Sequence, residues 1–179
     1  MTLEALNQAW LLQINAGPGT APWLIDATRI VANDLAYLIP VLLSGMWLFD
    51  GIERRSVALR AFVVAMLALG LNQIVGSLWP HPRPFAMGLG QAWAPHVADS
   101  SFPSDHMTLF ASIGLSLVLG RERLFGWLTL TIGLVVAWAR IVLGLHFPLD
   151  MLGAVATACA SYVLLFTPPG ILPASHWLR

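Results

Sequence analysis

Three clusters of polar residues interrupt an otherwise apolar sequence, and their residue types are those that bind phosphate and transfer a phosphoryl group. The clusters are His81-Pro82-Arg83-Pro84, then Pro103-Ser104-Asp105-His106, then Arg140 followed by His146 and Asp150. Together they supply two guanidinium groups, imidazoles, a hydroxyl and two carboxylates. Guanidinium groups bind phosphate oxygens with paired donors, and an imidazole can attack phosphorus or move a proton. The clusters therefore predict cleavage of a phosphate ester or anhydride bond through a histidine.

The third cluster has the spacing of a nucleophile and the group that orients it. Asp150 follows His146 by four residues, which can put both side chains on one helix face. Pro148 between them is typical of a first helical turn. A carboxylate on one imidazole nitrogen fixes the tautomer and leaves the other nitrogen free to attack. The alternative is an ordinary N-terminal helix charge paired with a histidine.

The other two clusters predict an anion site at the start of a helix. Ser104 suits an N-cap position, where free backbone N–H groups and the helix dipole favour an anion. His106 then lies in the first turn, and Arg83 lies in an extended, proline-rich stretch. The alternatives are a capped helix with an interfacial histidine, and an arginine that reaches from the apolar region to the membrane surface.

Composition indicates an integral membrane protein. Hydrophobic residues make up 58% of the 179 residues, charged residues make up 10%, and mean hydropathy is +0.75. Soluble domains carry about a quarter charged residues. The formal net charge of zero argues against a nucleic-acid partner. Cys159 is the sole cysteine, so no intrachain disulfide can form.

The hydropathy pattern predicts an all-α protein with five to six transmembrane helices in one bundle and an N-terminal interfacial helix over residues 1–16. A span needs roughly 20 apolar residues. The predicted spans are 30–49, 57–78, 104–120, 124–139 and 147–166. Residues 21–32 either prolong the first of these or form a sixth span. We treat residues 1–179 as a single domain.

The arginines predict the orientation, because positive residues favour the cytoplasmic side. Six of them flank the connections on one side of the predicted bundle: Arg54, Arg55, Arg60, Arg121, Arg123 and Arg179. The outer loop (residues 79–103) and the short link over residues 140–146 then lie on the opposite face. All three polar clusters fall on that face.

A metal site is not expected. The sequence has no His-Glu-x-x-His motif and no cysteine pair, and two arginines in one pocket would repel a divalent cation. No organic cofactor is expected either. His81, His96 and Asp99 in the outer loop either bind phosphate or face water, and the sequence favours water.

The ordered clusters resemble the phosphatidic acid phosphatase type 2 family, whose pattern reads Lys-x6-Arg-Pro, Pro-Ser-Gly-His and Ser-Arg-x5-His-x3-Asp. The matching region covers about residues 72–150. Three positions depart from the pattern: Gly76 replaces the lysine, Asp105 replaces a glycine, and Ala139 replaces the serine. The stretches around His81–Phe85 and Ser100–His106 are similar to one subgroup, the bacterial undecaprenyl-diphosphate phosphatases linked to bacitracin resistance.

This resemblance implies a multi-pass enzyme of the bacterial inner membrane that acts on undecaprenyl diphosphate at the periplasmic face, with membrane lipids around it. His146 is implied as the nucleophile that forms a phosphohistidine, Asp150 as its orienting group, and His106 as the acid and base. The implied phosphate-binding residues are Arg83, Arg140, Ser104 and Asp105. Asp105 acts either on the second phosphate of the substrate or on Arg83.

Other functions are compatible with the sequence. The substrate could be phosphatidylglycerophosphate, phosphatidic acid or the phosphate of lipid A, since the motif residues contact phosphate and not the tail. A transporter or drug-resistance subunit would place charges deep in the bundle, and a lipid-binding protein would bind phosphate without turnover. The sequence leaves open the oligomeric state and whether phosphate is transferred to water or to another lipid.

Overall fold

The computed structural model describes residues 2–166, which form seven α-helices and no strand. The helices are α1 (Leu3–Ile14), α2 (Pro22–Asp34), α3 (Leu38–Phe49), α4 (Ile52–Leu78), α5 (Asp105–Leu119), α6 (Arg123–Val142) and α7 (Pro148–Phe166). Short 3-10 turns cover Leu35–Tyr37 and Pro84–Met87. The predicted all-helical membrane fold is confirmed. The predicted role of Arg179 lies outside the described residues.

Residues 21–32 prolong the first span rather than form one of their own. Helix α2 begins with Pro22 at a favoured first-turn position and runs through the 3-10 turn directly into α3. Four segments of the described chain are long and apolar enough to cross a membrane: Pro22–Phe49, Ile52–Leu78, Arg123–Val142 and Pro148–Phe166.

Helix α5 is shorter than the span predicted over 104–120. Its 15 residues extend about 22 Å, less than the roughly 30 Å of a bilayer core. It lies at the centre of the bundle against α4, α6 and α7, and Phe110, Ile113 and Leu117 are buried. Its N-terminus therefore ends inside the protein, beneath the outer loop.

Small residues allow α5 and α6 to approach closely. A Cβ added to Gly114 would lie 2.6 Å from the Leu130 side chain, and one added to Gly126 would lie 2.6 Å from the backbone nitrogen of Val118. Close packing of small residues is a common way to join helices in membranes. These contacts join the C-terminal half of α5 to the N-terminal half of α6.

The link between α6 and α7 turns sharply at Gly144, whose φ of 71° favours glycine. The outer loop lies directly over this link. Trp93 donates its backbone N–H to the Leu143 carbonyl, and the Asn15 amide donates to both the Gln91 and Val142 carbonyls. The end of α1, the outer loop and the link are thus held together.

Helix α1, predicted as interfacial, packs across α6 and α7 by one face. Thr2 caps it by accepting from the Ala5 N–H, Leu11 is fully buried, and Asn7 accepts from the Leu149 N–H. Leu3 and Leu12 remain exposed. The helix therefore has one face on the bundle and one apolar face outward.

Candidate active site

His146 lies in the link between α6 and α7 and is 1% exposed. Its Nε2 accepts from Nη1 of Arg83 at 2.9 Å, so this nitrogen carries a lone pair. Its Nδ1 lies 3.0 Å from the Ser101 carbonyl and 3.2 Å from Oδ2 of Asp150. The proton is therefore on Nδ1, and Nε2 is the nitrogen free to attack.

Asp150, in the first turn of α7, is fixed through one oxygen. Its Oδ2 accepts from the hydroxyl of Ser101, from the backbone N–H of Phe147 at 2.8 Å and from His146. The side chain is 1% exposed. A buried carboxylate needs such partners, and they set the direction in which it holds the imidazole.

Arg140 ends α6 as a buried cation, with only 2% of its surface exposed. Its Nη1 donates to the Ala32 carbonyl at 3.4 Å and to Nε2 of His106 at 3.3 Å, and its Nη2 donates to Nε2 of His96 at 2.9 Å. Within the described chain it pairs with no carboxylate, and its buried Nε has no hydrogen-bond partner. A buried, unneutralised guanidinium with a spare donor favours an anion.

Arg83 reaches the same His146 from the outer loop and is 5% exposed. It donates through Nη1 to the Leu145 carbonyl at 3.0 Å and through Nε to Oδ1 of Asp99 at 2.7 Å. Its Nη2 lies 3.4 Å from the Ser100 carbonyl. The two guanidinium groups thus flank His146 and the start of α5.

Ser104 precedes α5 at the N-cap position, yet its side chain forms no cap bond. The buried Oγ has no hydrogen-bond partner among residues 2–166. His106 follows in the first turn and is half-buried. The Ser104 hydroxyl, the His106 imidazole and the first N–H groups of α5 therefore lie within one helical turn, an arrangement that suits phosphoryl oxygens.

Asp105 does not contact Arg83, one of the two partners considered from the sequence. Its carboxylate oxygens accept instead from the side-chain amides of Asn72 at 2.9 Å and Gln73 at 3.3 Å, both on α4. Asn72 also donates to the Thr108 hydroxyl at 2.9 Å. Asp105 consequently ties the start of α5 to α4.

Gly76 occupies the position of the family lysine, and the structure leaves a side chain little room there. An added Cβ would lie 3.1 Å from Cβ and 3.4 Å from Oγ of Ser100. Gly76 lines a polar cleft of about 240 Å³ with Asn72, Ser77 and Asp105. The outer loop therefore packs where the family has a basic side chain.

Burial and the charges of the site shift the pKa values of His146, His96 and Asp99. Burial lowers the pKa of His146 well below its usual range, and the positive charges of Arg140 and Arg83 lower it further. Burial likewise lowers the pKa of His96. Partial burial would raise the pKa of Asp99, but the hydrogen bond and charge of Arg83 outweigh this and lower it. His146 and His96 are therefore neutral, and Asp99 is ionised, at neutral pH.

Two apolar grooves lead to this region from the sides of the bundle. One, about 380 Å³, lies beside His106 and is lined by Ala36, Leu69, Gly70 and Leu109. The other, about 450 Å³, lies between α1, the outer loop and α7, behind Asp150. Either groove could hold hydrocarbon next to the polar centre.

The structure brings six of the seven predicted site residues around one point and turns Asp105 towards α4. His96, expected to face water, is largely buried and contacts Arg140, whereas Asp99 is exposed to water as expected and also binds Arg83. Sequence reasoning also missed Ser101, whose hydroxyl binds Asp150. The only available signal was that all three lie within residues 96–101, shortly before the Pro103-Ser104 motif. In the described part of the chain, three or more His, Cys, Asp or Glu side chains do not converge as a metal site would require.

Comparison with known proteins identifies related chains. Residues 57–169 match the family model described as the PAP2 superfamily. YbjG of Escherichia coli (strain K12) is 36% identical over 84% of this chain and 76% of its own length. Undecaprenyl-diphosphatase BcrC of Bacillus subtilis (strain 168) is 33% identical over 80% of this chain and 74% of its own. The crystal structure of Aquifex aeolicus LpxE shares the fold, with a TM-score of 0.74 and 24% identity over 92% of this chain and 98% of that one.

Proposed function

The chain belongs to the PAP2 superfamily, and we propose that it is an undecaprenyl-diphosphate phosphatase of the bacterial inner membrane, acting at the periplasmic face. The observation that carries the phosphatase activity is Arg140, a buried cation beside His106 and without a carboxylate partner in the described chain. The similarity to undecaprenyl-diphosphatase BcrC supports the lipid carrier as the substrate.

In the first step, Nε2 of His146 attacks the terminal phosphorus. The new N–P bond forms as the bond from phosphorus to the bridging oxygen breaks, which gives a phosphohistidine and undecaprenyl phosphate. Asp150 holds Nδ1–H and stabilises the positive charge that the ring gains. Before the attack, Nη1 of Arg83 must stop donating to Nε2 of His146 and donate to a phosphate oxygen of the substrate, which frees the lone pair of Nε2.

His106 supplies the proton to the leaving phosphate and then takes one from the attacking water. Arg140 contacts Nε2 of His106 when no phosphate is bound. Phosphate binding draws the guanidinium donors to its own oxygens and adds negative charge that favours the protonated imidazole. Water then attacks the phosphohistidine, the N–P bond breaks, and inorganic phosphate leaves.

Three groups stabilise the phosphoryl oxygens as charge redistributes. Among residues 2–166, Nε of Arg140 and the hydroxyl of Ser104 have no hydrogen-bond partner, and Arg83 has a remaining donor on Nη2. The backbone N–H groups at the start of α5 add to them. The proposed chemistry uses these groups alone, without a metal or an organic cofactor.

The prenyl chain lies in the groove beside His106. This groove is predominantly apolar and adjoins the residue that protonates the leaving phosphate. An attached lipid tail would therefore continue from the leaving oxygen into hydrocarbon-like surroundings. Arg54, Arg55, Arg121 and Arg123 lie at the opposite helix ends from the site, which supports a periplasmic active site.

Phosphate release from undecaprenyl diphosphate tests the proposal. Wild type and His146→Ala are purified in detergent and assayed side by side with excess EDTA, and their melting temperatures are compared. We expect release by wild type alone, with both proteins folded. Turnover by His146→Ala would contradict the nucleophile assignment, and loss of wild-type release in EDTA would reveal a required metal.

Two further measurements identify the preferred substrate and the step that requires His106. Phosphatidylglycerophosphate, phosphatidic acid and lipid A phosphate are assayed beside undecaprenyl diphosphate, and a higher kcat/KM for any of them would reassign the substrate. His106→Ala is expected to be severely impaired. If this variant accumulates an acid-labile phosphoenzyme, His106 is needed for hydrolysis of the phosphohistidine and not for its formation.

A further inference from the structure

The two arginines that face the proposed phosphate are held from the outside by two side chains of one short loop segment. Nη2 of Arg140 donates to Nε2 of His96 at 2.9 Å, and Nε of Arg83 donates to Oδ1 of Asp99 at 2.7 Å. His96 and Asp99 are three residues apart, and Nδ1 of His96 lies 3.9 Å from Oδ1 of Asp99. The family pattern described above includes neither residue.

We propose that His96 and Asp99 form an arginine clasp that positions Arg140 and Arg83 for phosphate binding and transition-state stabilisation. The inference rests on the proposed phosphatase function of the same site. His96 and Asp99 are positioning residues, since they act through the arginines and not on the substrate itself. The clasp is a further part of the site, contributed by the outer loop.

The clasp leaves donors free for a phosphate. Arg140 retains its Nε, which has no partner in the described chain, and one N–H of Nη2. Arg83 retains one N–H of Nη2, whose other contact is the Ser100 carbonyl at 3.4 Å. Each guanidinium is also held from the inside, Arg83 by the Leu145 carbonyl and Arg140 by the Ala32 carbonyl. The clasp therefore orients both guanidinium groups and leaves some of their N–H groups free to bind phosphate.

Asp99 and His96 have different effects on the charge of the arginines that they contact. Asp99 is a carboxylate, so it reduces repulsion between two guanidinium groups that converge on one pocket. His96 is neutral, because burial lowers its pKa, and its Nδ1–H donates to the Val97 carbonyl at 3.0 Å. His96 thus orients Arg140 without neutralising it, and the charge of Arg140 remains available to the phosphate.

Preorganisation explains why such a clasp matters to catalysis. A free arginine side chain loses considerable rotamer freedom when it is fixed, and groups already aimed at the developing charge need no reorganisation during reaction. Removing either member of the clasp should therefore weaken phosphate binding and slow the chemical step more than it destabilises the fold.

Four variants and one matched control test the clasp. His96→Ala and Asp99→Ala remove the contacts, His96→Gln retains an acceptor for Nη2 of Arg140, and Asp99→Asn retains an acceptor without charge. Gln91→Ala is the control, because Gln91 is an exposed polar residue of the same loop and its contacts with Asn15 are made by its backbone atoms. Each purified protein is measured for melting temperature, inorganic phosphate affinity by calorimetry, and kcat and KM on undecaprenyl diphosphate.

We expect His96→Ala and Asp99→Ala to lose about tenfold or more in both phosphate affinity and kcat, the size of one hydrogen bond to a charged group. His96→Gln should recover most of this loss, Asp99→Asn should be intermediate, and Gln91→Ala should stay within about twofold of wild type. Wild-type phosphate affinity in both alanine variants would overturn the clasp. So would a lower melting temperature with kcat reduced but phosphate affinity unchanged, since that is the signature of a structural role.

This design distinguishes failure of the proposed function from failure of the clasp. If wild type binds inorganic phosphate but releases none from undecaprenyl diphosphate, the substrate assignment is wrong and the affinities still test the clasp. If wild type turns over undecaprenyl diphosphate and the alanine variants match it in kcat and phosphate affinity, the clasp is wrong and the proposed function stands.

Discussion

Replacing Asp150 with asparagine removes one charge from the site while it preserves the shape of the side chain. Oδ2 of Asp150 accepts from the backbone N–H of Phe147 at 2.8 Å, so this donor keeps the amide oxygen of the substituted side chain in the same position. That oxygen can still accept from Nδ1–H of His146 and from Ser101. Asp150→Asn therefore isolates the electrostatic part of the contact.

The magnitude follows from the separation of the two groups. When His146 becomes phosphorylated on Nε2, its ring gains a positive charge 3.2 Å from the carboxylate oxygen. At that distance an effective dielectric constant of about 20 gives roughly 5 kcal/mol between unit charges. Because each 1.4 kcal/mol or so is a factor of ten, kcat should fall by roughly 10³-fold or more. KM should change little, since the charge develops after the substrate binds.

Steady-state release of phosphate from undecaprenyl diphosphate, together with a melting curve, measures the effect. Ser101→Ala is the matched control, because it removes a neutral donor to the same oxygen and keeps the charge of Asp150. We expect it to cost about tenfold. If Asp150→Asn keeps more than about a tenth of wild-type kcat in a folded protein, the ring of His146 carries no charge in the rate-limiting step and the reasoning fails.

Three further predictions concern the rest of the site. Arg140→Lys should lower kcat/KM by roughly 10²-fold because an ammonium group cannot make the three contacts of the guanidinium fork, and a loss of less than about threefold would contradict its role. Since the pKa of His146 is lowered and the attacking imidazole must be neutral, the acid limb of the kcat/KM profile should lie below pH 6.5 or so, and a limb above that value would exclude His146 as its source. Gly76→Ala should reduce kcat/KM several-fold, because its Cβ would press on Ser100, which bonds Arg83 through its carbonyl. Gly45→Ala, with open space around its added Cβ, should have no such effect, and equal activity of the two variants would refute the argument.

Much of the fold was predictable because the membrane imposes it. A chain in hydrocarbon must satisfy its backbone groups internally, so long apolar runs such as Ile52–Leu78 can only be helices. The family resemblance, which rested on ordered motifs, is confirmed. Hydropathy also predicted α5 to within one residue at each end, but it could not show that this short helix lies at the centre of the bundle against α4, α6 and α7.

The parts of the site that sequence reasoning missed are those that depend on how loops fold over helices. His146 and Asp150 are neighbours along the chain, so their pairing follows from helix periodicity alone. Asp99 meets Arg83 only because the two ends of the outer loop are joined, through the bond from the Ser101 N–H to the His81 carbonyl at 2.7 Å. His96 meets Arg140 only because Trp93 attaches the loop to the link after α6. No periodicity encodes such contacts.

The missing lysine and the contacts of the outer loop are two aspects of one arrangement. With glycine at position 76, the Ser100 side chain can lie against α4, and the same stretch of loop carries Asp99 and Ser101 to Arg83 and Asp150. A lysine would add a positive charge at α4, whereas here the polar groups near α4 are the carboxylate of Asp105 and the amides that bind it. The positive charge of the pocket is therefore concentrated on two guanidinium groups, and one of these is already paired with Asp99. With two cations in place of three, phosphate binding depends more strongly on the orientation of Arg140. His96 contacts Nη2 of Arg140, so we expect its replacement to weaken phosphate binding.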